Sequence, residues 1–171
     1  PLYYLSNREI GEETISVEDA IAKAGAYLEN LGFSSMKHSY YDCSGGVACV
    51  NFAYEQDGTL CYSDLIKVKV ALDNGEIVGL ETKGYLMSHQ KRALPATKLT
   101  AEDARGKINS HLQIDSLKLT LIPKDSKREV LCYECHGNFS GKNYLIYINA
   151  ENGREEKILM LLESENGILT I

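Results

Sequence analysis

A five-residue phrase occurs twice in this chain. Ser16-Val-Glu-Asp-Ala20 returns as Thr100-Ala-Glu-Asp-Ala104, 84 positions later. Two more echoes keep the same order: Asn74-Gly75-Glu76 is answered by Asn152-Gly153-Arg154, and Gly84-Tyr-Leu-Met87 by Gly167-Ile-Leu-Thr170. Ordered echoes of this kind mark one structural unit used in tandem, here of roughly 80 residues. Units so small bury too little surface to be stable alone, so the two are expected to pack on each other. Repeated scaffolds present surfaces more often than they enclose a catalytic pocket.

The first unit opens with a helix over residues 16–31. Ser16 is a good N-cap, Asp19 stands at the capping-box position, and Val17, Ala20, Ile21, Ala24, Leu28 and Leu31 form one apolar face before Gly32 stops it. The period then changes to two. Strands are predicted over 33–41 and 47–55, separated by Asp42-Cys-Ser-Gly-Gly46. Ile66, Val68, Val70 and Leu72 alternate with Lys67 and Lys69 in a half-wet strand, Asn74-Gly75 reads as a tight hairpin, and residues 77–88 return as its partner. Residues 90–97, with Pro95, read as a linker.

The second unit repeats this script. Thr100 caps a helix whose apolar line is Ala104, Ile108 and Leu112, weakened by Gly106. Strands follow over 117–122, 129–136 and 144–149. A last pair flanks Glu151-Asn-Gly153 and runs through Leu159 and Leu161 to Ile171. The fold class is therefore α+β: two tandem units, each one helix packed on an antiparallel sheet. Tyr3-Tyr-Leu-Ser6 resembles Tyr85-Leu-Met-Ser88, so residues 1–6 read as the final strand of a preceding unit, pairing with a sheet edge. The chain starts at Pro1 without Met and is read as a fragment or a processed form.

The net charge is −6, from 18 basic and 24 acidic residues, and no basic stripe carries interleaved aromatics. Nucleic acid is not the expected partner. No apolar run reaches the 18 or so residues of a membrane-spanning helix.

Four patterns invite a chemical reading. Cys132-Tyr-Glu-Cys135 has the spacing of a metal knuckle or redox pair, which needs both sulfurs to converge. It lies in an alternating stretch, where residues three apart point to opposite faces. Cys135 is expected inward with Leu131 and Tyr133, and Cys132 outward with Glu134 and His136. Cys43 and Cys49 bracket a glycine turn at a spacing compatible with a structural disulfide, and Cys61 has no evident partner. His38, His89, His111 and His136 sit in separate elements without ligand spacing, so they read as single surface or satisfied histidines. The acid pairs Glu18-Asp19 and Glu102-Asp103 suit helix starts; Glu12-Glu13, Glu155-Glu156 and Glu163 with Glu165 imply no apolar pocket of the kind that raises a general acid. No catalytic, cofactor or metal residue is assigned. Eleven tyrosines remain, against three Phe and no Trp. Tyr3, Tyr4, Tyr40, Tyr41, Tyr54 and Tyr62 suit half-buried sheet faces and also protein interfaces.

The capped Glu-Asp-Ala helix, the strands, and Val68-Lys-Val-Ala-Leu-Asp73-Asn-Gly75 with Tyr144-Leu-Ile-Tyr-Ile-Asn149 leading to Gly153 resemble the PepSY domain. Gly84-Tyr-Leu-Met-Ser-His89, Leu94-Pro95, Lys98-Leu-Thr-Ala-Glu-Asp-Ala104, Leu119-Thr-Leu-Ile-Pro123, Glu129-Val-Leu-Cys-Tyr-Glu134 and Tyr147-Ile-Asn-Ala-Glu151 resemble the carboxy-terminal region of YpeB-type spore germination proteins. That resemblance divides the chain into residues 1–15 (last strand of a preceding unit plus linker), 16–95 (first PepSY-like unit) and 96–171 (second). It implies a non-catalytic module on the extracytoplasmic side of the inner spore membrane, anchored by an upstream segment. Its implied partner is the spore cortex-lytic enzyme, a peptidoglycan lytic transglycosylase. A protease-inhibitory PepSY module and a small peptidoglycan hydrolase are the rival readings.

Overall fold

The computed structural model describes residues 3–125, 128–164 and 167–170. The expected end of the last strand at Ile171, and Glu165 of the last acid pair, lie outside the described residues. The chain divides into two compact units: Pro1–Gln56, Ser63–Gln90 and Ser164–Ile168 form one, and Asp57–Tyr62, Lys91–Glu163 and Leu169–Ile171 the other.

The first unit contains β1 (Tyr3–Leu5), α1 (Val17–Asn30), β2 (Met36–Ser44), β3 (Val47–Gln56), most of β4 (Thr59–Ala71), β5 (Ile77–Glu81) and α2 (Lys83–Ser88). Its strands neighbour one another in the order β1-β5-β4-β3-β2. The first residues of the chain do pair with a sheet edge, Tyr3 opposite Glu81 and Leu5 opposite Gly79 on β5.

Local chemistry sets the limits of α1. Ser16 is the N-cap and its hydroxyl accepts from the Asp19 amide. At the other end Gly32 adopts φ +85, the Gly32 amide donates to the Glu29 carbonyl, and the Phe33 amide reaches back to Leu28. Those bonds satisfy carbonyls that the last turn leaves open, in a conformation glycine adopts without steric cost. The apolar stripe of α1 buries Ala20, Ala24 and Leu28 against Val50, Phe52, Ile66, Val68, Val70 and Leu80. Each large aliphatic side chain so buried contributes about 1.5–3 kcal/mol. This layer is the unit's core.

Two strand limits differ from the sequence reading. β2 continues through Asp42 and Cys43 to Ser44, because Gly45 (φ +57) and Gly46 (φ +73) alone make the turn. Two left-handed residues give the tight hairpin that matches strand twist. The return after Asn74-Gly75 is also shorter than residues 77–88. β5 stops at Glu81, and Gly84-Tyr-Leu-Met87 lies in helix α2, where Tyr85 packs edge-on against Phe33 at 5.1 Å. The predicted likeness between Gly84–Met87 and Gly167–Thr170 therefore fails, since the latter is strand β10 (Gly167–Thr170). The likeness of residues 3–6 to 85–88 fails with it.

The second unit contains α3 (Ala101–Arg105), β6 (Gln113–Asp125), β7 (Arg128–Phe139), β8 (Lys142–Asn149) and β9 (Glu155–Ser164). Antiparallel pairs join β6 to β7, β7 to β8 and β8 to β9. Leu60 and Cys61 of β4 add a parallel pair on β6, opposite Thr120 and Leu121, so the sheet is mixed rather than purely antiparallel. Thr100 and Asp103 close a complete capping box, but the helix ends at Gly106 after five residues. Ile108 and Leu112, expected on its apolar line, stand beyond it. Gly106 exposes backbone and offers no side chain to continue the stripe.

The other two echoes survive to the level of single hydrogen bonds. The Thr14 and Ile15 amides both donate to the Leu72 carbonyl, as the Lys98 and Leu99 amides both donate to Ala150. In the turns, Gly75 donates to Ala71 and Ala71 to Glu76, exactly mirrored in kind by Gly153 to Asn149 and Asn149 to Arg154. Both turns are thus four-residue loops, two residues longer than the hairpin loop that Asn-Gly suggests.

One ion-pair cluster fastens the entry to the first unit. The Arg8 guanidinium donates to both Asp73 carboxylate oxygens, at 2.8 and 2.6 Å, and to Glu76 at 2.6 Å, while the Gly11 amide donates to Asp73 at 2.8 Å. The Arg8 hydrogen bond, then that of Gly11, hold the Asp73 carboxyl far below the usual carboxylate range. A lowered folded-state pKa contributes stability above the unfolded value, near pH 4, and loses it as pH falls towards the folded one. Asp73→Asn is therefore expected to flatten the loss of stability between about pH 4 and pH 2. Denaturant melts of both proteins across that range check this; parallel pH curves would contradict it.

Candidate functional site

Two places in the first unit gather chemically capable side chains. The sheet face opposite α1 is one. Val50 and Phe52 point to the helix, so Cys49 and Asn51 point away, and the register sets Asp42 and Tyr40 beside them. Lys67 and Glu81 approach to 4.0 Å on the same face, with Tyr3 paired opposite Glu81. Tyr3 is 57% exposed and Tyr40 40%. Burial of part of its ring raises the Tyr40 hydroxyl pKa, and the Lys67 charge opposes that shift. The face is a mixed-charge sheet surface with exposed tyrosines, which suits protein recognition.

The other place was invisible in the sequence. His89 Nδ1 lies 2.9 Å from Oδ2 of Asp64, whose side chain is fully buried. The imidazole stacks on Tyr85 at 4.1 Å and 12°, and meets Tyr54 edge-on at 4.6 Å. His89 is thus a histidine satisfied by a buried carboxylate. Asp64 fixes its ring, and the tyrosines enclose it. The arrangement seats the end of α2 on the sheet, since the His89 amide also donates to the Tyr85 carbonyl. Asp64 and His89 stand 25 residues apart with no spacing rule to join them. The tyrosines divide accordingly: Tyr3, Tyr4 and Tyr40 are exposed, while Tyr41, Tyr54 and Tyr62 are half-buried.

The cysteine readings are settled by register. Cys43 faces Ala48 and Cys49 faces Asp42, so their side chains leave opposite faces and no disulfide joins them. Cys132 and Cys135 also diverge, opposite Thr120 and Leu117. The expectation of a wet face on β7 is corrected: Cys132 and Glu134 are as buried as Cys135, and only His136 is half-buried. The charge of Glu134 is met by Lys118 at 3.0 Å. Burial pushes the Cys43, Cys49 and Cys135 thiols up, and that of Cys132 to about 12, away from the thiolate that metal binding or redox exchange requires. Native protein at neutral pH should leave Cys61, Cys132 and Cys135 unmodified by iodoacetamide while unfolded protein takes up label at all five thiols. Mass spectrometry over time reads the result, and rapid native labelling of a buried thiol would contradict it.

Four carboxyls are held in their charged form by close partners. Asp73, Asp103, Glu151 and Glu156 are all held below their ordinary range, by Arg8, the Thr100 backbone, Lys98 and Lys124 respectively. A glycosidase acid requires the opposite shift. Among the described residues, no three His, Cys, Asp or Glu side chains gather in a way that could hold a metal ion.

Comparison with known proteins completes the picture. Residues 1–95 match the family model for the YpeB sporulation PepSY1 and PepSY2 domains. The chain belongs to the YpeB family. Residues 98–159 match the peptidase propeptide and YPEB domain, PepSY. Sporulation protein YpeB of Halalkalibacterium halodurans is 40% identical over 96% of this chain, and that of Bacillus subtilis 34% identical over 96%; this chain spans 37% of the length of each. The solved Bacillus megaterium YpeB C-terminal domain superimposes with a TM-score of 0.88 at 33% identity, over 95% of this chain and 73% of that one. YpeB and PepSY domains are generally non-catalytic. Among the described residues no helix is long and apolar enough to cross a membrane.

Proposed function

We propose that this chain is a non-catalytic regulatory and scaffolding module of a spore germination protein. It binds a spore cortex-lytic enzyme, a peptidoglycan lytic transglycosylase, and stabilises or restrains it through sporulation until cortex hydrolysis in germination. The module works on the extracytoplasmic side of the inner spore membrane. In this reading Tyr3–Leu5 closes a preceding PepSY-like unit, and residues 16–95 and 96–171 are the two that follow.

Membership of the YpeB family is the observation that carries this reading. The mixed-charge face bearing Tyr3, Tyr40, Asp42, Lys67 and Glu81 supports it, because half-exposed tyrosines on a rigid sheet lose little side-chain entropy on contact. Calorimetric titration of this chain with the lytic enzyme tests it. Saturable binding that Tyr40→Ser weakens supports the reading; no association at tens of micromolar counts against it. The peptidase-propeptide part of the family description keeps one alternative in view, an inhibitory module for a protease. That alternative expects slowed cleavage of a model substrate by the protease and no effect on the lytic enzyme.

A further inference from the structure

The early end of α3 leaves part of the second unit's sheet without the cover that α1 gives the first. In α1 the apolar stripe runs on for two more turns, through Ala24 to Leu28. The matching positions after Ala104 are Ile108 and Leu112, which follow the end of the helix. A hollow of about 160 Å³ opens there, lined by Asn109, Leu112, Phe139, Tyr144, Ile146 and Ile158. Phe139 and Ile158 are 47% and 48% exposed. Its size is close to the ~150 Å³ of a cavity that admits benzene, so it takes one large apolar side chain, and the exposed rim extends the contact.

The segments that supply most of the lining carry charge of one sign. Residues 104–114 and 137–148, which supply five of the six lining side chains, contain no acidic residue. They carry Arg105, Lys107, His111 and Lys142, all exposed, in a chain whose net charge is −6. Lys142 stands directly opposite Phe139 in the β7–β8 register. On the flanking strands the nearest acidic residues in sequence are Asp115 on β6 and Glu155 and Glu156 on β9, where Lys157 stands between Glu156 and the lining Ile158. An exposed apolar patch in a basic frame fits a helix with an apolar stripe and acidic flanks.

We propose that this hollow docks such an acidic amphipathic helix from a protein partner, taking the place on the second sheet that the later turns of α1 take on the first. The proposal rests on the reading of the chain as a protein-binding module and gives it a second, chemically distinct contact. The complement has a known form, because residues 16–31 already present an apolar stripe with Glu18, Asp19 and Glu29 against the single base Lys23.

A fluorescein-labelled peptide of residues 16–31 is the probe, titrated into the whole chain at low salt and followed by anisotropy. Saturable binding is expected, weakened at least tenfold by Ile158→Asp and about threefold by Lys142→Glu, and unchanged by Tyr40→Ser. Ile158 lies at the surface, so its replacement is expected to leave the melting temperature within a few degrees; if it does not, Phe139→Ser replaces it. No saturation at millimolar peptide, or equal binding by Ile158→Asp, overturns the proposal. So does a concentration-dependent dimer in sedimentation that Ile158→Asp abolishes, because the occupant would then be a second copy. The titration contains no lytic enzyme. Failure here with enzyme binding intact removes the hollow alone, and success here without enzyme binding removes the enzyme as partner.

Discussion

Leu28→Ala is expected to lower the unfolding free energy by about 2–5 kcal/mol, and Leu112→Ala by roughly 1 kcal/mol or less. The two residues hold the same place in the repeated phrase, twelve positions after Ser16 and Thr100. Their surroundings differ. Leu28 is 1% exposed, wedged between α1 and a sheet face whose Val50, Ile66 and Val68 are fully buried. Truncation there removes transfer energy and opens a cavity that a close-packed layer cannot refill. Leu112 lies half-buried on the rim of an existing hollow, so shortening it mainly enlarges space that water already reaches. Urea melts of both variants read the difference. Equal costs would mean that α3 and the segment after it cover the second sheet as α1 covers the first.

Arg92→Met is expected to cost about 3 kcal/mol, and Arg92→Met with Glu129→Leu appreciably less. Arg92 donates to both oxygens of Glu129, at 2.7 and 2.9 Å, with only 6% of its side chain exposed. Removing the guanidinium alone strands a carboxylate that retains 22% exposure, which places the cost at the lower end of the range for a broken buried pair. Removing both charges returns an apolar contact of similar bulk. A double-mutant cycle by chemical denaturation measures the coupling. Additive single costs would show that the pair contributes nothing beyond its separate parts.

What could be read in advance follows the range of the interaction that decides it. Ser16, Gly32, Thr100 and Asp103 act within four residues, and the two helix starts and the stop of α1 that they announced are present. The bonds of Thr14-Ile15 to Leu72 and of Lys98-Leu99 to Ala150 are long-range and join dissimilar residues in the two copies, so the repeat marked the units without revealing these bonds. Helix α2 was misread because Gly84-Tyr-Leu-Met87 is too short to show a period, and Tyr85 is held by Phe33 and Tyr54 from elsewhere in the chain as well as by His89 at the end of α2. The buried Asp64 beneath His89 gave no signal, since a lone Asp within an alternating stretch reads as a wet position. On β7 the alternation of Leu131, Tyr133 and Cys135 with Cys132, Glu134 and His136 suggested a solvated face. The Lys118–Glu134 pair permits that face to be buried by neutralising its charge.

The proposed module acts through another protein and performs no chemistry of its own. Release of soluble muropeptides from purified cortex peptidoglycan tests it, with this chain alone, with the lytic enzyme alone, and with both together. Release by the enzyme that falls or persists differently when the chain is added, with none from the chain alone, is the predicted result. Muropeptides released by the chain alone, or an enzyme indifferent to its presence at saturating concentration, would contradict it.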